Sequence, residues 1–200
     1  MFKLISVTNR RLTSCDFLTQ IKKVAEGGAD AVILREKDLS EAEYEALAKE
    51  VLEVCNSTKS LCIVHTFASV AEKLESEALH MPLPLLREMS EEERSRYKVL
   101  GASCHSMEDV REAEALGCTY VTLGHIFATD CKKGVPPRGL GLLKEVCREA
   151  NISVYAIGGI SAENVASVKE AGAEGCCFMS GLMACDAPGK EISKIKENLK

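Results

Sequence analysis

Val154-Tyr155-Ala156-Ile157-Gly158-Gly159-Ile160-Ser161 and, further along, Gly175-Cys176-Cys177-Phe178-Met179-Ser180-Gly181 bracket the unit whose reading decides the fold. Each is a short apolar run that breaks into glycine or serine, the pattern of a strand buried on both faces and ended by a tight turn. Between them residues 162–171 have helical spacing, with Ser161 as a candidate N-cap and Gly172 as a helix stop. Strand, helix and second strand in that order make a parallel βαβ unit. The same alternation extends outward to both ends of the chain. Strands are expected at 4–8, 31–35, 62–65, 78–81, 99–103, 120–123, 154–157 and 175–179, and helices at 16–26, 41–55, 107–116, 141–150 and 162–171. Ser40 is a further candidate cap, and Gly27-Gly28 and Gly117 are further stops. Eight strands alternating with helices, without a linker, predict an α/β protein built as a single-domain (β/α)₈ TIM barrel over residues 1–200. An open doubly wound sheet is the alternative if the short strand 78–81, followed by Pro82 and Pro84, does not form.

The 200 residues carry a formal charge of −5, which argues against a general nucleic-acid binder but leaves room for a local cationic site for a small anion. No apolar run approaches the ~20 residues that a membrane helix needs. Met1-Phe2-Lys3-Leu4-Ile5-Ser6-Val7-Thr8 reads as a first strand rather than a signal peptide. These features predict a cytoplasmic protein with no nucleic-acid or membrane partner, and they leave a homo-oligomer open. The ten cysteines show no C-x-x-C spacing and read as small, reduced core residues, with Cys176 and Cys177 on opposite faces of their strand. Only Cys131, beside Lys132 and Lys133, has surroundings that would lower a thiol pKa.

In a β/α barrel the active site lies at the carboxyl ends of the strands. The second strand ends in Arg35-Glu36-Lys37, where alternation puts Arg35 and Lys37 on the side of Ala31 and Ile33. Two cations there suit a carboxylate or a phosphate, and a salt bridge to Glu36 is an equal alternative. Ser103, at the end of the fifth strand, can orient a ligand or bond to local backbone. His65, His80 and His105 read as structural. No histidine pair has metal spacing and these strand ends carry no carboxylates, so neither a metal nor a cofactor is expected. Gly158 and Gly159 after the seventh strand, with Ser180 and Gly181 after the eighth, form a candidate phosphate site. There, backbone N–H groups can approach an anion and a following helix N-terminus adds positive charge. The sixth strand runs into Gly124-His125-Ile126-Phe127-Ala128-Thr129-Asp130-Cys131-Lys132-Lys133-Gly134. His125, in phase with Val121 and Leu123, is the candidate general acid/base, because imidazole titrates near ~6.5. Together these pieces predict proton transfer on a phosphorylated small molecule.

Assembled in this way, the residues resemble the thiamine phosphate synthase/TenI superfamily, and within it the TenI branch of thiazole tautomerases. The anchors are Arg35-Glu36-Lys37, residues 101–106, 124–134 and 157–160, and Met179-Ser180-Gly181. The resemblance implies a (β/α)₈ barrel of thiamin biosynthesis whose partner is a phosphorylated thiazole. It implies an isomerase that converts a thiazole carboxylate phosphate to its aromatic tautomer, with His125 as acid/base. Gly158, Gly159, Ser180 and Gly181 would hold the phosphate and Arg35 and Lys37 would lie near the carboxylate, while Ser103, Thr129 and Lys132 match polar positions of the site. The synthase branch is a transferase that joins a pyrimidine diphosphate to a thiazole phosphate, using Mg²⁺ supported by carboxylates after the third and fourth strands. Here those ends read Val64-His65-Thr66-Phe67 and Leu79-His80-Met81-Pro82, and His125 stands where the synthase has proline. The tautomerase is therefore the expected function. The synthase is the first alternative, and a non-catalytic ligand-binding or regulatory barrel the second. His65 also departs from the TenI pattern, which has asparagine there.

Overall fold

Eight parallel strands close on themselves: β1 (Lys3–Val7), β2 (Ala31–Leu34), β3 (Leu61–His65), β4 (Ala78–Pro82), β5 (Val99–Cys104), β6 (Tyr120–Gly124), β7 (Ser153–Ile157) and β8 (Gly175–Phe178). This computed structural model describes residues 1–200 except for the side chain of Cys131, so the expectation about that thiol lies outside the described residues. Between and after the strands run α1 (Phe17–Glu26), α2 (Glu41–Thr58), α3 (Ala68–Lys73), α4 (Leu83–Glu88), α5 (Glu91–Ser95), α6 (Met107–Ala115), α7 (Gly139–Glu149), α8 (Val165–Glu170), α9 (Ser180–Met183) and α10 (Pro188–Glu197). The pairing of β8 with β1 closes a (β/α)₈ TIM barrel and removes the open-sheet alternative.

The strand pattern explains the closure. Ala31-Val32-Ile33-Leu34 buries every residue, because helices cover the outer face and side chains fill the inside. Ile5, Val7, Ala31, Ile33, Ile63, Tyr120 and Cys177 pack in the barrel interior. Leu4, Val32, Leu34, Val64, Val121 and Cys176 belong to the layer shared with the helices. Cys176 and Cys177 thus face opposite ways, as alternation requires, and the cysteines with described side chains are all free thiols. At Gly101 the ring of Tyr120 occupies the space that a Cβ would need, so the glycine lets a large side chain cross the interior.

Helix ends follow local chemistry in most places. Ser40 and Glu43 form a reciprocal capping box at the start of α2, and Gly28, Gly117 and Gly172 adopt positive φ after α1, α6 and α8. Ser161 makes cap-type bonds, its Oγ accepting from the Glu163 N–H at 3.3 Å and its carbonyl from the Val165 N–H at 3.0 Å, but the chain turns once before α8 begins at Val165. Pro82 and Pro84 do not interrupt β4, because they fall at the N-cap and in the first turn of α4, where no N–H is required. Among the described residues, no helix is long and apolar enough to cross a membrane.

Candidate active site

At the end of β2 the three charged residues part company. Glu36 is 3% exposed and points away from its neighbours into β1. It accepts hydrogen bonds from Thr8 Oγ1 at 2.7 Å, from the Arg10 backbone N–H at 3.0 Å and from Arg10 Nη1 at 3.0 Å. Arg10 also forks onto Asp38 at 2.6 and 2.8 Å, which holds that carboxyl down to about 2. Thr8 Oγ1 in turn accepts from the Arg35 backbone N–H at 2.8 Å. The salt bridge between Glu36 and Arg35 or Lys37 is therefore not made, because Glu36 is already satisfied. Among the described residues Arg35 and Lys37 form no ion pair. Partial burial, and then the charge of Arg35, lowers the Lys37 pKa. Two like charges without an acid are an incomplete arrangement that an anion would complete.

Register builds the adjoining wall. Leu34 pairs with Val64, so Arg35 comes level with His65, and His65 pairs with His80. The two imidazoles stack with centroids 5.5 Å apart. Both ring nitrogens of His80 are engaged, Nδ1 with Tyr120 Oη and Nε2 with Ser103 Oγ, each at 2.9 Å. His65 Nδ1 meets Thr66 Oγ1 at 2.6 Å. Burial, then His80 and the cations Lys37 and Arg35, pushes the His65 pKa down to about 2. Burial, then Lys37, pushes His80 down to about 3. The three side chains form one neutral wall. Its signal lay in the spacing of histidine, histidine and serine at the ends of three successive strands.

The same residues test the magnesium ion that the synthase branch uses. Mg²⁺ takes hard oxygen ligands in octahedral geometry, chiefly carboxylates, water and phosphate. His80 has no free nitrogen, Glu36 is spent on Thr8 and Arg10, and no group of three or more His, Cys, Asp or Glu among the described residues is placed to hold a metal. This donor set does not fit Mg²⁺.

Across the mouth, β7 and β8 stand side by side with Ile157 paired to Cys177, so Gly158-Gly159 and Met179-Ser180-Gly181 follow as neighbouring turns. Gly158 and Gly159 have φ of +98° and +67°, and Gly159, Ser180 and Gly181 are exposed. The first N–H groups of α9 have no partner within the helix. However, α8 and α9 span only six and four residues, so any anion here is met by turn amides rather than by a long helix dipole. Thr129 is half-buried and Lys132 is exposed, both in or beside the 3₁₀ turn Asp130–Lys132. His105 is exposed, with Nδ1 at 2.7 Å from the Cys104 carbonyl.

His125 departs from its expected aim. Val121 and Leu123 lie in the helix-side layer, whereas Tyr120 faces the interior, so being in phase with Val121 does not turn a side chain into the barrel. The imidazole is 4% exposed, with Nε2 at 3.2 Å from the Val135 carbonyl and Nδ1 buried without a partner. Its Cβ lies against Gly158, where a Cβ on the glycine would collide with it.

The chain matches the family model described as thiamine monophosphate synthase over residues 4–182. It is 30% identical over 203 residues to the thiamine-phosphate synthase of Syntrophomonas wolfei subsp. wolfei, covering 98% of this chain and 95% of that protein. It is 31% identical over 209 residues to the thiamine-phosphate synthase of Bacillus velezensis, covering 100% and 92%. Among solved structures, the thiamine phosphate pyrophosphorylase from Pyrococcus furiosus aligns with a TM-score of 0.84 at 26% identity, over 99% of this chain and 95% of that one. These similarities favour the coupling transferase and overturn the expected tautomerase, together with its isomerase class. The tautomerase expectation rested on His125 and the missing carboxylates, two local departures set against similarity along the whole chain.

Proposed function

The chain belongs to the thiamine monophosphate synthase family, and on that premise we propose that it joins a pyrimidine diphosphate to a phosphorylated thiazole with release of diphosphate. The observation that supports this reading is the presence of two anion-seeking places on one barrel mouth. One is Arg35 and Lys37 after β2, which form no ion pair among the described residues; the other is the pair of turns after β7 and β8. Following the barrel from β8 through β1 to β2 crosses two strand spacings, so the places lie roughly 10 Å apart. A diphosphate at one and a phosphate at the other would turn the reacting ends of two substrates toward each other.

In the coupling, the thiazole nitrogen gives its lone pair to the carbon that carries the diphosphate. A C–N bond forms, the C–O bond breaks, and its electron pair leaves on the diphosphate oxygen. No proton changes hands. Arg35 and Lys37 would meet the charge that grows on the leaving group. Ser103, tethered to His80, would orient the pyrimidine, and Gly158, Gly159, Ser180 and Gly181 would take the thiazole phosphate with Thr129 and Lys132 beside it. His125 becomes a positioning residue that braces the Gly158 turn.

The test is to supply both substrates and quantify thiamin phosphate and diphosphate, expected in equal amounts. Absence of both products at excess enzyme would remove this reading. His125→Asn should keep turnover within about tenfold, since losing a general acid or base typically costs about 10²–10⁴-fold. A loss on that larger scale would return proton transfer to His125.

A further inference from the structure

The donors after β3 and β4 disagree with a diphosphate site organised by magnesium. We infer that this chain holds the diphosphate without a divalent ion, with Arg35 and Lys37 as its direct counter-charges and the neutral His65–His80 pair as the wall beside them. The inference rests on the proposed coupling only for the identity of the anion.

Three observations carry it. The two cations share one side of the strand end and have no acid among the described residues to neutralise them, because Glu36 is taken by Thr8 and Arg10 and Asp38 by Arg10 and Arg11. The positions level with Arg35 on the next two strands are His65 and His80, and His80 uses both ring nitrogens on protein hydroxyls. Burial keeps both imidazoles uncharged, so they add no further positive charge, and imidazole nitrogen is not the hard oxygen donor that Mg²⁺ takes. A divalent cation placed here would meet two positive side chains and no uncommitted carboxylate among the described residues, whereas a diphosphate would satisfy both. The leaving group's charge would then fall directly on a guanidinium and an ammonium group.

Calorimetric titration of the whole chain with inorganic diphosphate, in EDTA and in excess Mg²⁺, tests this directly when the coupling assay is run in the same two buffers. Affinity in excess Mg²⁺ is expected to be no higher than in EDTA, because Mg²⁺ competes for diphosphate in solution, and Arg35→Gln and Lys37→Gln should each weaken binding in EDTA by about tenfold. Neither side chain is in an ion pair among the described residues, so both variants should melt like the parent, which separates loss of contact from loss of fold. Diphosphate that binds only with Mg²⁺, or binds in EDTA regardless of both substitutions, overturns the inference. Coupling that needs Mg²⁺ also overturns it and leaves the proposed function standing. Capture of diphosphate in EDTA with no coupling in either buffer removes the function and leaves the anion site standing.

Discussion

Gly158 shows how much one residue can be asked to do. It holds φ at +98°, and a Cβ there would run into the His125 Cβ and come within 2.8 Å of its Cα. Both the backbone and the neighbouring side chain therefore exclude any L-residue with a side chain. Gly158→Ala should destabilise the fold by about 2 kcal/mol, read as a lower midpoint in urea unfolding. It should also raise KM for the thiazole phosphate more than for the diphosphate substrate, because the damage falls on the β7 side of the mouth. An unchanged midpoint would mean that the turn has room that its geometry denies. His125 belongs to the same contact. Its buried imidazole makes sense as packing for the glycine turn, with one nitrogen on Val135, more readily than as a group reaching into solvent.

At the scale of elements, β1 and β2 are clamped at their carboxyl ends by a single carboxylate. Glu36 binds Thr8 and Arg10, and Thr8 holds the backbone N–H of Arg35. Glu36→Gln puts an amide where three donors converge and only acceptors fit, and removes the charge that Arg10 faces. It should cost about 2 kcal/mol and raise KM for the diphosphate substrate while kcat changes less. Equal falls in kcat and kcat/KM would place Glu36 in the chemistry rather than in positioning. This clamp also shows where sequence reading stops. Strand positions were legible because parallel strands buried on both faces are bare apolar runs, and the anion-binding ends followed from the barrel rule. Glu36 adjoins Arg35 in sequence, yet alternation sends adjacent side chains apart, and its partners Thr8 and Arg10 lie just past the end of β1. The His65–His80–Ser103 contacts likewise depend on register between strands, which no single strand encodes. Being in phase with Val121 does not carry His125 into the interior, because the interior face of β6 is the one carrying Tyr120. The helices α3, α4, α5 and α9 are too short, at four to six residues, to show periodicity, and the ten-residue α10 is likewise not among the expected helices.

For the whole molecule, the buried imidazoles link the mouth to stability. His65 and His80 stay neutral in the fold, at about 2 and about 3, while in the unfolded chain they titrate near ~6.5. Their contribution is complete above about pH 6.5 and is lost as pH falls toward the folded values, at up to about 1.4 kcal/mol per pH unit for each group. Melting curves from pH 7.5 to 5 should therefore show the gap between the parent and His80→Gln narrowing as pH drops. Parallel curves would mean that His80 is solvated rather than buried. Such acid sensitivity is the cost of lining the barrel mouth with uncharged imidazole.

The crossing of Tyr120 over Gly101 has a consequence for descent. Any side chain at 101 would have to stand inside the tyrosine ring, and a smaller residue at 120 would leave both a void beneath His80 and an unmet Nδ1. Neither position can mutate alone without penalty, so the two should be inherited as a linked pair. A lineage that abandons the tyrosine should be the one in which position 101 is released from glycine.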